Sequence, residues 1–256
     1  MDLGLRGKRA LVTGASKGLG AAVARMLAAE GCNLVLVARD LTRLNALKAE
    51  IMAADATIDV QVMEMDMRAP NACRAVTKGA GPVDILVNNA GDVPSGGVLE
   101  IDEERWRRAW DLKVFGYINL TREVYREMVA ARRGVVVNIV GTAGERPRGN
   151  HIAVASGNAA LIAFSRALGL ESVGHGVRVV AVNPGASETD RQMDRWKAKA
   201  AEQLGDASRW RELVADYPFG RLARPEEIAS VVTFVASERA SYMSGTAVTV
   251  DGGGHH

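Results

Sequence analysis

Seven short apolar runs alternate with helix-length segments along this chain: RALVTG, NLVLVAR, IDVQVMEMD, VDILVNNAG, GVVVNIVG, VRVVAVNPG and TAVTVDGG. The runs are rich in Val, Ile and Leu and nearly continuous, the pattern of strands covered on both faces. Between them lie segments such as AAVARMLAAEG, an amphipathic helix closed by a C-cap glycine. Repeated β-α units of this kind can only build a parallel sheet with right-handed crossovers and helices on both faces. The expected fold is α/β, a doubly wound parallel sheet of seven strands, with residues 1–256 forming a single domain. Residues 186–224 break the alternation between the sixth and seventh strands. They are polar, contain Trp196 and Trp210, and read as a helical lid over the ligand crevice.

Composition excludes more than it suggests. Hydrophobic residues make up 48% and charged residues 24%, with a net charge of +2, so neither a nucleic-acid nor a membrane partner is expected. No apolar run reads as long enough to span a membrane. MDLGLRGKR lacks the apolar core of a signal peptide, and a cytoplasmic protein is expected. Cys32 and Cys73 form no metal or redox pattern and read as reduced packing residues. No metal site is expected. His255 and His256 read as a tag remnant.

The first run leads into TGASKGLG, residues 13–20, and directly into a helix. Gly14, Gly18 and Gly20, with Ser16, Lys17 and Leu19 between them, form a loop whose backbone can approach a pyrophosphate. The new helix turns its free N–H groups toward the anion. At the end of the second run, the position where an NAD site places an acid for the ribose hydroxyls is Ala38, and Arg39 follows. Lys17 and Arg39 together suit a 2′-phosphate, which favours NADP(H) over NAD(H). Asp40 could serve NAD instead if the strand ran one residue further.

With these motifs, the chain resembles the short-chain dehydrogenase/reductase family nearly end to end, and the resemblance implies its Rossmann-type fold. It implies an adenine contact at Asp66 and Met67 and a sheet-steadying motif at NNAG with Asn89, Ala90 and Gly91. It also implies a nicotinamide-side turn in NPGASET with Pro184, Gly185 and Thr189, and a homotetramer or homodimer acting on a small molecule. The family transfers hydride between a nicotinamide and a carbonyl or alcohol, using Tyr as general acid/base, Lys beside it, Ser on the substrate oxygen and Asn in a proton relay.

Here the chain departs from the family. The frame NAAL, residues 158–161, puts Asn158 at the lysine position and Val154 at the tyrosine position. The serine usually thirteen residues before that tyrosine falls at Gly141, and DLKVFG puts Lys113 at the asparagine position. Valine cannot donate a proton, and Gly141 has no side chain to meet an oxyanion. General acid/base help is worth about 10²–10⁴-fold and an oxyanion donor about 10²–10³-fold. The family's usual mechanism therefore cannot run on these residues.

Replacement groups are sought nearby. Lys113 could stabilise an alkoxide or enolate, or act as a base or nucleophile once desolvated, or simply reach water. His151, one helical turn before Val154, titrates near neutrality, but could be a loop residue. Thr142 could supply the missing hydroxyl if the loop shifts by one residue. Asn158 could still hydrogen-bond a ribose. Asp92 and Glu145 lie on loops at the carboxyl ends of strands, where ligands bind, but both read more readily as solvated loop acids; Arg146 and Arg148 are either surface charges or attract an acidic substrate. Trp196 and Trp210 could cover a ligand, while Trp106 and Trp110 read as packing residues. Three functions stay open: an atypical oxidoreductase, a non-redox lyase, dehydratase or isomerase built on Lys113, and a catalytically inert binding or regulatory subunit. Tyr117 and Tyr217 are the phenols that would overturn this reading if either met the reactive centre.

Overall fold

The computed structural model describes residues 1–254; His255 and His256 lie outside the described residues. Seven parallel strands form one sheet in the order β3-β2-β1-β4-β5-β6-β7. They are β1 (Arg9–Thr13), β2 (Asn33–Ala38), β3 (Val60–Glu64), β4 (Ile85–Asn88), β5 (Gly134–Ile139), β6 (Val177–Pro184) and β7 (Thr246–Val250), and each predicted run supplies one of them. The five inner strands are almost wholly buried, as their continuous apolar character requires. The edge strands β3 and β7 are only partly buried, because each has a single neighbour.

Alternation along each strand sends side chains to two cores. Ala10, Val12, Leu34, Leu36, Val87 and Val137 face one layer, containing α1 (Gly18–Ala29) and α8 (Pro225–Ala236). Leu11, Val35, Val37, Leu86 and Val136 face the other, containing α3 (Ala72–Ala80) and α5 (Gly116–Ala131). Register pairs Leu11 with both Val35 and Leu86, so the inner strands present matched rows to each layer.

The strand order reverses between β1 and β4, opening a crevice beyond their carboxyl ends. Two polar stitches fix its walls. Thr13 Oγ1 accepts from the Asn89 and Ala90 backbone N–H groups at 3.0 and 3.1 Å, and Asn89 Nδ2 donates to the Thr13 and Gly14 carbonyls. Deeper in, Asn88 Nδ2 donates to Thr121 Oγ1 and Asn138 Oδ1, and Asn138 Nδ2 donates to Ser165 Oγ. This buried network joins β4 and β5 to α5 and α6 (Ile152–Ser172), the helices on whose ends the site depends.

The sequence reading that no apolar stretch reaches membrane-spanning length is corrected at Ile152–His175, which is long and apolar enough by length and composition. Its buried face packs Leu161 and Ile162 against Val140 and Ala181 in a core cluster beside β6, which accounts for its apolar character without a bilayer.

Candidate active site

A continuous cleft of about 1670 Å³ runs across the carboxyl ends of the strands. This exceeds the few hundred to about 1,000 Å³ of an ordinary small-molecule pocket, leaving room for a dinucleotide and a second molecule. At one end lie Gly14, Ser16, Lys17, Gly18 and Leu19. Helix α1 begins here with no side-chain cap at Lys17 and no acid in its first turn, so its leading N–H groups remain available to an anion. Gly20, predicted to touch the ligand, is corrected: it does not line the cleft. A Cβ at Gly20 would collide with the Gly14 carbonyl and with Asn89 Nδ2 at 2.5 Å, so this glycine allows α1 to pack onto the loop.

Beyond the loop, β2 ends at Ala38, and Arg39 and Asp40 both line the cleft. Asp40 is the N-cap of α2 (Leu41–Ala54), accepting from the Arg43 N–H at 2.9 Å. Its carboxylate also faces the Arg43 guanidinium at 3.4 Å. Asp40, the acid considered for ribose hydroxyls, thus meets Arg43 with both of its oxygens. Arg39 has no hydrogen-bond or ion-pair partner among the described residues. Asp66 and Met67 line the cleft below it. The Asp66 carboxylate is pulled down to about 2, chiefly by hydrogen bonds from the Arg68 side chain at 2.6 and 2.9 Å.

Asn89, Ala90, Gly91, Pro184, Gly185 and Thr189 also line the cleft. Facing them are Lys113, Gly141, Thr142, His151, Val154 and Asn158. Lys113 does not sit in one uninterrupted long helix. A π-helical turn, Asp111–Phe115, joins α4 (Glu103–Trp110) to α5 and carries it. Such turns widen a helix locally and re-aim its side chains. Lys113 Nζ donates to the Val140 carbonyl at 2.8 Å and the Ile139 carbonyl at 3.4 Å, leaving one N–H for another partner. Desolvation, and then the Arg191 charge, lower its pKa to about 8.

Asn158 Nδ2 donates to the Gly141 carbonyl at 3.3 Å, while its Oδ1 is buried without a partner. Gly141 has φ +126°, a conformation open to glycine and strained for serine, and a Cβ there would stand 3.0 Å from Asn158 Nδ2. Val154, on the first turn of α6, presents only methyl groups. Trp110 Nε1 holds the preceding carbonyl, that of Ala153, at 3.1 Å and so fixes the entry of α6. His151 caps that entry, with Nδ1 2.9 Å from Asn150 Oδ1. Desolvation, then Arg195 and Arg148, lower its pKa.

Tyr117 is buried outside the cleft and donates to the Ile139 carbonyl at 3.0 Å. Tyr217 does line it, packed edge-on against Trp196 with ring centroids 5.7 Å apart. Two further candidates lie away from the cleft. Trp210 is buried with Ala200, Val214 and Leu222 rather than open to the cleft. Glu145 turns away from it to meet Arg166 at 3.4 Å and Thr249 Oγ1 at 3.0 Å.

The reading of the sequence missed Arg191, Arg195 and Lys199, which line the cleft from α7 (Asp190–Leu204). Their spacing of four was the available signal.

Comparison with known proteins agrees with this architecture. A family profile described as short chain dehydrogenase matches residues 8–200. The chain is 34% identical over 259 residues to 2,3-dihydro-2,3-dihydroxybenzoate dehydrogenase of Bacillus subtilis (strain 168), covering 98% of this chain and 97% of that one. It is 36% identical over 252 residues to galactitol 2-dehydrogenase (L-tagatose-forming) of Cereibacter sphaeroides, covering 97% and 95%. The crystal structure of L-sorbose reductase from Gluconobacter frateurii, complexed with NADPH and L-sorbose, superposes with a TM-score of 0.94 at 33% identity, covering 100% of this chain and 99% of that one. By profile, identity and fold, the chain belongs to the short-chain dehydrogenase family.

Proposed function

We propose that this chain is an NADP(H)-dependent oxidoreductase acting on a small carbonyl or alcohol, in which Lys113 takes over the proton-handling role of the family's tyrosine and lysine. One observation carries the reading: an ammonium enters the cleft at Lys113, anchored on two backbone carbonyls, in a cleft that Val154 also lines.

The residues present fit the cofactor. The uncapped start of α1 suits a pyrophosphate, and unpaired Arg39 with Lys17 suits a 2′-phosphate. The unsatisfied Asn158 Oδ1 suits a ribose hydroxyl, which would supply the donor this buried oxygen lacks. The L-sorbose reductase solved with NADPH supports the same choice. When bound, the dinucleotide supplies or accepts the hydride.

The chain's own groups do the rest. Lys113 directs its remaining N–H toward the substrate oxygen, stabilises negative charge developing there, and holds the proton that the oxygen takes up. A lysine at about 8 is mostly protonated at neutral pH, yet acidic enough to give up that proton. His151, a turn from Val154, is placed to exchange protons with solvent. Residues 186–224 act as the lid, with Trp196 and Tyr217 covering the substrate. Leu170 near the end of α6, Val173 in the turn after it, and Tyr242 are strongly exposed apolar groups that support assembly into a homo-oligomer.

The test is NADPH oxidation against a panel of ketoses, aldehydes and oxo-acids, with NADP⁺ reduction on the matching alcohols. Turnover that falls at least about 100-fold in Lys113→Met supports the reading. Substrate conversion with no change at the nicotinamide absorbance band overturns it in favour of non-redox chemistry. Cofactor binding without turnover of any compound overturns it in favour of an inert subunit.

A further inference from the structure

Helix α7 places Arg191, Arg195 and Lys199 on one face, at successive turns, and all three line the cleft. Like charges at this spacing oppose helix formation. Arg148 and His151 line the same cleft from the connection between β5 and α6. Mutual influence ties these groups into one cluster. Arg195 and Arg148 both disfavour the charged form of His151, and Arg191 disfavours that of Arg195.

The acids nearby offset this cluster only in part. Asp92 pairs with Arg191 at 3.0 Å and favours the charge on Arg195, whereas Asp190 pairs with Arg43 at 3.5 Å and Asp251 with Arg146 at 3.4 Å, both outside the cluster. Arg195 and Arg148 have no hydrogen bond or ion pair from their guanidinium groups among the described residues. Among the described residues, Lys199 meets only the face of Trp196, 5.0 Å from the ring centroid. Asp216 also lines the cleft, and has no cationic partner within ion-pair distance among the described residues. Trp196 Nε1 is buried with no acceptor. An excess of donors and positive charge is thus held open beside the reacting centre.

The cluster lies close to Lys113. Arg191 Nη2 donates to the Gly91 carbonyl at 3.1 Å, and a Cβ placed on Gly91 would stand 3.1 Å from Lys113 Cδ, so the Lys113 side chain runs beside this glycine. Arg195 is one helical turn further, about 5 Å along the axis. A substrate whose carbonyl meets Lys113 would reach Arg195 with a group only a few bonds away.

We propose that the substrate carries an anionic group, carboxylate or phosphate, a few atoms from its reactive carbon, and that Arg195 and Arg148 bind it. This deepens the proposed function and rests on it for the identity of the reactive carbon. The anion site itself stands on the cluster alone.

The experiment compares matched probes on the full chain saturated with NADPH: 4-oxopentanoate against 2-pentanone, and dihydroxyacetone phosphate against dihydroxyacetone. Binding is followed by calorimetry or thermal shift, and turnover by NADPH oxidation. At least one anionic member of the pairs binds tenfold or more tighter than its neutral partner. Arg195→Gln and Arg148→Gln each remove most of that preference by raising KM, with kcat nearly unchanged, whereas Arg166→Gln, on a surface pair, leaves it intact. The carboxylate and phosphate pairs tell which anion is meant. Equal affinity within both pairs, or a preference that survives in the Arg148→Gln/Arg195→Gln double variant, overturns the proposal. Selective binding of the anions without NADPH oxidation leaves the anion site standing and removes the redox reading instead.

Discussion

Lys113 and Asn158 hold consecutive carbonyls, Lys113 that of Val140 at 2.8 Å and Asn158 that of Gly141 at 3.3 Å. We propose that the asparagine and lysine of the family pattern have changed places about this stretch of backbone, so that charge enters the cleft from the π turn instead of α6. Asn158→Lys alone would bring a second ammonium against the first, costing on the order of 1–3 kcal/mol. The exchange Lys113→Asn/Asn158→Lys would recover most of that loss. Denaturant unfolding of both singles and the double gives the coupling energy directly, and strict additivity would show that the two residues do not share a site.

Gly141 is tied to the same arrangement. Restoring the family's hydroxyl with Gly141→Ser forces a side chain onto φ +126° and within 3.0 Å of Asn158 Nδ2. The expected cost is about 1–3 kcal/mol, a lowering of Tm by a few degrees, with no gain in NADPH oxidation. A serine variant as stable as the parent and faster would mean that the loop already adopts a second, ordinary conformation.

The Lys113 pKa of about 8 makes two signed statements. Carbonyl reduction, which needs the ammonium, should be level below about pH 8 and decline above it, while alcohol oxidation should rise toward that pH; both limbs vanish in Lys113→Met. For stability the folded pKa lies below the ordinary 10.5, so the folded chain releases its proton first. The penalty of the buried charge is therefore full below pH 8 and disappears as pH rises through 10.5. Lys113→Met should be more stable than the parent at neutral pH by at most about 3 kcal/mol, reduced by two lost hydrogen bonds. That advantage should fade between pH 8 and 10.5, which paired melts across this range would show. A pH-independent difference would mean that Lys113 is not desolvated.

Arg39 stands unpaired where β2 ends, and Asp40 is occupied as the α2 cap. Arg39→Ala should weaken NADP(H) about 10–100-fold, the value of a charge-assisted hydrogen bond, and leave NAD(H) nearly unchanged. Fluorescence titration with each reduced cofactor separates the two. Equal weakening of both would place Arg39 on the adenine or pyrophosphate rather than on a 2′-phosphate.

The sheet was legible in the chain because buried strands leave continuous Val-rich runs, and the phosphate loop because glycine is needed where backbones meet. Val154, Gly141, Asn158 and Lys113 were placed by frame alone, and all four line the cleft. What the residues could not show was local. The π turn that aims Lys113 has no composition of its own, and the cap on Asp40 depends on where β2 stops. Glu145 and Trp210 look like site residues in one dimension and are claimed by Arg166 and by the packing of Leu222 in three.

Tyr217 is the phenol that lines the cleft, and it sits within residues 186–224, the proposed lid, instead of on α6. Its ring packs edge-on to Trp196, which explains its position by packing without invoking its hydroxyl. If Lys113 carries the proton, Tyr217→Phe keeps the ring, loses only the oxygen, and leaves kcat within about threefold, with the pH limb near 8 unchanged. A loss of about 100-fold or more, the size expected for a general acid, together with disappearance of that limb, would transfer the proton to the lid and make Lys113 a positioning residue.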